Sequence, residues 1–367
     1  MIFVKTPQRY INEADILKSS GEYISQLGKN ALVIGGKTAL TVAGGDLFGS
    51  LDSVGIKYQT IEFEGNCTTS AIDRLSSITG EYGVDIIIGV GGGRVLDLVK
   101  AVGENRKLPV VTVPTIAATC AAWSALSIIY DEKGKFAGGL LLNNSPMLVL
   151  ADTRILAEAP VRYLSAGIGD TIAKWYEIAP HIVEGKNDIS LRTGIQTAKL
   201  ALEILNSNAV QATKDVADKK PTQAFSEVID SIIMLAGLVG SINGGYYRAA
   251  VAHSLYNSST VVPEIHSSLH GEIVAFGLIV QFILEGKPQQ EVDELIAFLN
   301  SLDLPVTLGQ LGIKNDLVQK ISEIANGFNI SGELLDKLNF EVNSQLVEKA
   351  LIKADQLGRS SLNSQSN

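Results

Sequence analysis

Short β-branched runs alternate with helix-compatible stretches along the first half of the chain. ALVIGG (31–36), YQTIEF (58–63), VDIIIGVGGG (84–93) and LPVVTVPT (108–115) are apolar runs of strand length, set off by Gly or Pro. Residues 37–51, 68–82 and 94–105 lie between them with helical spacing of their apolar positions. Strands and helices taken in turn predict βαβ units, and hence a parallel sheet covered on both faces. SALSIIYDEKGKF (124–136) breaks the rhythm: a strand, a polar turn around Gly134 and a return predict a hairpin. MLVLAD (147–152) predicts one further short strand.

After Pro160 the texture changes. VRYLSAGIGDTIAKWYEI, SLRTGIQTAKLALEILN, FSEVIDSIIMLAGLVGSI and SQLVEKALIKAD keep helical spacing over long stretches, and strand signals nearly vanish. The reading is an α/β domain over 1–157 followed by an all-α domain over 158–367. The polar tail RSSLNSQSN (359–367) is expected to be disordered. No repeat of solenoid length is visible.

Composition narrows the partners. The chain has 367 residues, enough for about two domains, and its 46% hydrophobic and 19% charged residues are those of a globular protein. A formal charge of -9 argues against nucleic acid or an anionic membrane and leaves a small molecule as the expected partner. Two distant cysteines, Cys67 and Cys120, do not make a disulfide scaffold and suit a reducing compartment. MIFVKTPQRY lacks the apolar core of a signal peptide, and IVAFGLIVQFIL (273–284) is too short to span a bilayer. A cytoplasmic location is expected.

GVGGGRVLD (89–97) closes a strand and opens a helix, where backbone N–H groups can cradle a pyrophosphate. Gly89 and Gly91 fit the first two places of the dinucleotide fingerprint, but Arg94 occupies the third, so the loop fits a tight structural turn as well. GGKTA (35–39) is not a P-loop, because Ala31 stands where its first Gly belongs. Three of the four histidines, His253, His266 and His270, fall within 18 residues, a density that points to a metal. His266 and His270 are four apart, yet Ser267 denies the metalloprotease signature. A carboxylate ligand must then come from elsewhere. Asp170, read as near the start of an apolar helix, is either that ligand or a first-turn acid.

Taken in order, VGGGRVLDLVKAV, VPTIAATCAAWSALSIIYDEKGKF, AGIGDTIAKWYE, VAHSLYN and LHGEIVAFG resemble the iron-containing alcohol dehydrogenase superfamily, in its glycerol dehydrogenase-like group. TCAAW and GIGDTIAKWYE look closest to the hydroxycarboxylate dehydrogenase branch. The resemblance runs from about residue 5 to 350. It implies a dehydroquinate synthase-like fold, an N-terminal nucleotide domain, a helical C-terminal domain and a catalytic metal in the cleft between them. The implied metal ligands are Asp170, His253 and His270, three ligands with an open position, as a catalytic Zn²⁺ requires. Iron-dependent members add a His where this chain has Lys174, which favours zinc. The implied pyrophosphate contacts are Gly92, Gly93, Arg94, Val95, Leu96 and Asp97. Thr115, Ala118, Ser124, Leu126 and Tyr130 would surround the nicotinamide. His266 is expected to line the cleft, and a homo-oligomer is expected.

Two departures from glycerol dehydrogenases each remove an anion. Cys120 replaces the Asp that grips substrate hydroxyls, and Gly36 followed by Lys37 replaces the Asp that holds the ribose. The second change predicts NADP(H) over NAD(H). The first removes a charge that would repel a substrate carboxylate, and Lys174, one helical turn after Asp170, offers a cation to it. The expected reaction interconverts a small 2-oxo acid and its 2-hydroxy acid, with Lys174 and Cys120 at the substrate. Alternatives are glycerol oxidation to dihydroxyacetone, a metal-dependent cyclising lyase of the same fold, and a nucleotide sensor without catalysis.

Overall fold

The structure is a computed structural model that describes residues 2–182, 188–242, 250–330, 335 and 338–365. Six strands form the main sheet: β1 (Arg9–Glu13), β2 (Asn30–Gly35), β3 (Lys57–Glu62), β4 (Ile86–Gly91), β5 (Val110–Pro114) and β8 (Leu148–Asp152). They lie in the order β1-β8-β5-β4-β2-β3, and every pair is parallel. β6 (Leu126–Tyr130) and β7 (Phe136–Leu141) make the expected antiparallel hairpin, apart from that sheet.

The central strands read as unbroken apolar runs because both of their faces are buried. Successive side chains point to opposite faces, so Val33 and Ile88 join one core with Leu47 and Leu51 of α2 (Lys37–Ser53). Ile34 and Ile87 join the other, with Leu75 of α3 (Thr69–Glu81) and Val99 of α4 (Gly93–Arg106). β1 has no such signal. RYINE is half-buried at most, as an edge strand can be. It is tied down from the helical half: the Tyr10 hydroxyl and the Asn12 amide each donate to Asp230 at 2.8 Å.

Besides α1 (Ser20–Ile24), the other α-helices among the described residues follow β8: α5 (Thr153–Glu158), α6 (Val161–Ile178), α7 (Ile189–Asp218), α8 (Gln223–Asp230), α9 (Ala236–Ser241), α10 (Val251–Ser259), α11 (His270–Leu284), α12 (Gln289–Ser301), α13 (Leu317–Gly327) and α14 (Ser344–Gln365). A π turn at Ser231–Leu235 joins α8 to α9. Gln223–Ser241 is long and apolar enough to cross a membrane, but Phe225, Val228, Ile229, Ile232 and Ile233 of this stretch lie in the main core.

The tail corrects an expectation. α14 continues through residues 359–365, and only 366 and 367 lie outside the described residues. Composition misled there because single contacts hold the turn: Leu362 packs on the core, and Asn300 Nδ2 donates to Ser361 Oγ at 3.2 Å.

α11 is apolar on all sides and sits at the centre of the helical half, against α6, α10 and α14. Glycines set its approach to α6. A Cβ on Gly271 would stand 1.8 Å from the Ala166 carbonyl oxygen, and one on Gly169 would stand 2.8 Å from the Gly271 carbonyl oxygen. Neither neighbour is a flexible side chain, so the helices would have to part. Gly271→Ala should therefore lower unfolding free energy by about 1–3 kcal/mol, the usual cost of overpacking. Gly45→Ala is the control: a Cβ there meets nothing within 4 Å, and chemical denaturation should show a gain of about 0.4–1 kcal/mol. Equal effects of the two substitutions would mean that the crossing tolerates a methyl group.

Candidate active site

Asp170 lies in the middle of α6, 2% exposed, so it is not a first-turn acid. Pro160 starts that helix nearly three turns earlier. α10 brings His253 to it, and α11 brings His270 as its first residue. One ligand atom from each of the three lies within 4.8 Å of the others. His253 Nε2 is 3.1 Å and His270 Nε2 is 3.3 Å from Asp170 Oδ1.

Two further side chains complete the cluster. Lys174 Nζ, 6% exposed, stands 3.1 Å from Asp170 Oδ1 and 2.9 Å from His253 Nε2. Glu177, wholly buried, accepts the backbone N–H groups of Ala250 and His253 at 2.7 and 3.0 Å, and it pairs with His253 Nδ1. A carboxylate can only accept, so His253 Nδ1 carries the proton and Nε2 faces Asp170 and Lys174. Two imidazoles and a carboxylate, with one outer ring nitrogen held by a second carboxylate, are a donor set that could hold a divalent metal ion. Sequence reasoning missed Glu177. Its spacing of seven from Asp170, two helical turns, was the available signal.

The electrostatics follow from burial set against charge. Burial pushes the Asp170 carboxyl up, but the Lys174 ammonium and hydrogen bonds from His253 and His270 hold it well below its ordinary value. Burial likewise opposes ionisation of Glu177, and His253 outweighs it. For His253, burial pulls downward, yet Glu177 leaves it above its ordinary value. Burial lowers His270, helped by the charges of His253 and Lys174, which favours the neutral imidazole a metal needs.

The glycine loop lies at the C-terminal end of β4. Gly91 has φ +151, open to glycine and strained for other residues, and a Cβ on Gly92 would meet the Ile116 side chain at 2.6 Å. α4 begins at Gly93, so unpaired N–H groups point out of the loop. Arg94 is exposed, whereas the Val95 and Leu96 side chains are in the core and can offer a ligand only their backbone. The Asp97 carboxylate turns inward instead, to Lys100 at 2.9 Å and to the Ile128 N–H at 3.2 Å. Lys100 also donates to the carbonyls of Ser124 and Leu126. This buried network stitches the hairpin to α4.

The loop after β5 bridges the two halves. Thr115 N–H donates to the Gly91 carbonyl at 3.1 Å. The Ala117 carbonyl rests against α6 so closely that a Cβ on Gly167 would stand 2.1 Å from it. Ala118 and Cys120, one and three residues after that contact, are partly buried. The Tyr130 hydroxyl meets that of Tyr256 at 2.9 Å. Lys37 is exposed at the start of α2, and a Cβ on Gly36 would meet only the Phe63 carbonyl, at 3.9 Å. His266 stays out of the ligand cluster: it is exposed, with Nε2 2.9 Å from the Thr260 carbonyl.

The Glu177 carboxyl makes a pH prediction. A carboxyl held below its ordinary value stabilises the fold above about pH 4.3, and that share is lost as pH falls through the folded-state value. Glu177→Gln removes it. The stability difference between wild type and variant should therefore shrink as the pH falls below about 4.3, the ordinary glutamate value. Denaturation across this window checks it, and a difference that grows on acidification contradicts it.

Known proteins share this arrangement of elements. A sequence model described as iron-containing alcohol dehydrogenase matches residues 7–153. Glycerol dehydrogenase from Pseudomonas putida is 35% identical over 360 residues, 97% of this chain and 98% of that one. Hydroxycarboxylate dehydrogenase A from Escherichia coli is 37% identical over 284 residues, 77% of each chain. The crystal structure of a probable glycerol dehydrogenase from Sinorhizobium meliloti superposes with a TM-score of 0.88 at 30% identity, covering 98% of this chain and 99% of that one. This chain belongs to the iron-containing alcohol dehydrogenase superfamily, in its glycerol dehydrogenase-like group, and is an oxidoreductase acting on CH–OH groups.

Proposed function

We propose that the protein interconverts a small 2-oxo acid and its 2-hydroxy acid by hydride transfer with a nicotinamide cofactor, NADP(H) before NAD(H). The observation that carries the substrate class is Lys174, a buried ammonium within 3.1 Å of Asp170 and His253. A divalent metal on Asp170, His253 and His270 would take the His253 Nε2 lone pair that Lys174 faces and leave the ammonium on Asp170, giving three positive charges against the buried carboxylates of Asp170 and Glu177. One positive charge is left over. A monocarboxylate substrate neutralises it, and a neutral polyol does not.

The metal, zinc in this reading, supplies Lewis-acid polarisation of the carbonyl oxygen. The chain's own groups do the rest. Lys174 holds the carboxylate beside the reacting carbon, and this fixes which face of the carbonyl is presented. Cys120, in place of an acid, leaves that carboxylate unopposed. The backbone of Gly92 and Gly93 and the start of α4 take the pyrophosphate. Thr115, Ala118, Ser124, Leu126 and Tyr130 bound the nicotinamide side, and Lys37 meets a 2′-phosphate that an acid at position 36 would repel. In this reading residues 1–157 carry the nucleotide and 158–367 the metal.

A polyol reading is favoured by one fact, the glycerol dehydrogenases of near-equal length among the relatives. Initial rates separate the two. 2-Oxobutanoate or 2-oxoglutarate should be reduced with far higher kcat/KM than dihydroxyacetone. Lys174→Met should cut that efficiency about tenfold to a hundredfold, as for one charge-assisted contact, and affect neutral ketones much less. Equal losses on charged and neutral substrates would show that Lys174 serves structure or metal. Gly36→Asp with Lys37→Ala should swing the preference toward NAD(H), and a wild type that already prefers NADH refutes the cofactor assignment.

A further inference from the structure

The Tyr130–Tyr256 pair joins the two ends of the site. Tyr256, on α10 three residues after His253, is 8% exposed. Its ring meets that of His270 edge-on, with centroids 4.2 Å apart at 76°. Its hydroxyl shares a 2.9 Å hydrogen bond with Tyr130, the last residue of β6. A second bond docks the same hairpin on the same region, from Phe136 N–H to Thr260 Oγ1 at 3.3 Å. At its other end β6 is fixed to α4: the Ser127 hydroxyl donates to the Asp97 carbonyl at 2.7 Å, and Lys100 binds the Leu126 carbonyl. A continuous set of contacts thus runs from the helix behind the glycine loop, along β6, through two phenols, to the ring of His270.

We infer that Tyr256 is a positioning residue that couples nucleotide binding to metal binding, through its ring on His270 and its hydroxyl on Tyr130. This rests on the metal reading above. A nucleotide seated against the hairpin restrains Tyr130, Tyr130 restrains the Tyr256 hydroxyl, and the Tyr256 ring narrows the orientations open to His270. The metal then meets a ligand already ordered, and by linkage it tightens the nucleotide by the same factor. The coupling needs the hydroxyls, whereas the packing on His270 needs only the ring.

Zinc dissociation constants, measured by competition with a chromogenic chelator, test this with and without saturating NADPH. In wild type, NADPH should tighten zinc about fivefold or more, the lower end of ordinary coupling between sites. Tyr256→Phe and Tyr130→Phe should each bring that ratio close to one, and the double variant should add nothing further, because both remove one bond. A loss of packing alone would shift zinc affinity equally with and without NADPH and leave the ratio intact. That outcome, or a wild-type ratio of one, overturns the coupling while the metal site stands. Failure of Asp170→Asn to weaken zinc overturns the metal reading instead.

Discussion

The close crossing of α6 and α11 is the constraint on which the site depends. Asp170 and His270 belong to different helices, and their side chains meet only if the backbones approach to within a side chain's thickness. Gly169 and Gly271 permit this by leaving carbonyl oxygens where a Cβ would otherwise stand. Another face of α6 receives, at Gly167, the Ala117 carbonyl from the loop after β5. One set of small residues therefore brings together the carboxylate, an imidazole and the loop that follows the sheet. Dense packing makes such an arrangement stiff, so a shift at the crossing is felt at the ligands.

Charge is the second constraint. Asp170, Glu177 and Lys174 are packed with almost no access to water, and the partly buried His253 closes on them. Burying each charge alone is costly, and the cluster persists because every member has an opposite partner. Glu177 does more than balance charge. It receives two backbone N–H groups at the start of α10 and the Nδ1 proton of His253, so it fixes where the helix begins and which nitrogen faces the cluster.

Legibility followed burial only in the middle of the sheet. β2, β4 and β5 could be read because both of their faces are covered, whereas of the two edge strands β3 was read from its aromatic and β-branched residues and β1, with fewer of them, was not. Asp170, His253 and His270 were legible as residue types and through family resemblance, and the structure brings them together. His266 shows where spacing misleads. It is four residues from His270, yet Ser268 and Leu269 are extended and separate a 3₁₀ turn at Pro263–Ser267 from α11, so the pair shares no helix face. Asp97 illustrates a different gap: its place beside the glycine loop and its spacing of three from Lys100 on α4 are written in the sequence, but its bond to Ile128 is tertiary.

The central claim is that a buried cation beside the ligand cluster reserves this site for a carboxylate. Calorimetric titration of the zinc-loaded protein with oxamate, a 2-oxo acid mimic, in the presence of nicotinamide cofactor tests it most directly. The account predicts saturable binding that glycerol does not displace and that Lys174→Met abolishes while zinc stays bound. Oxamate binding unchanged in Lys174→Met, or glycerol competing for the same site with comparable affinity, would contradict it.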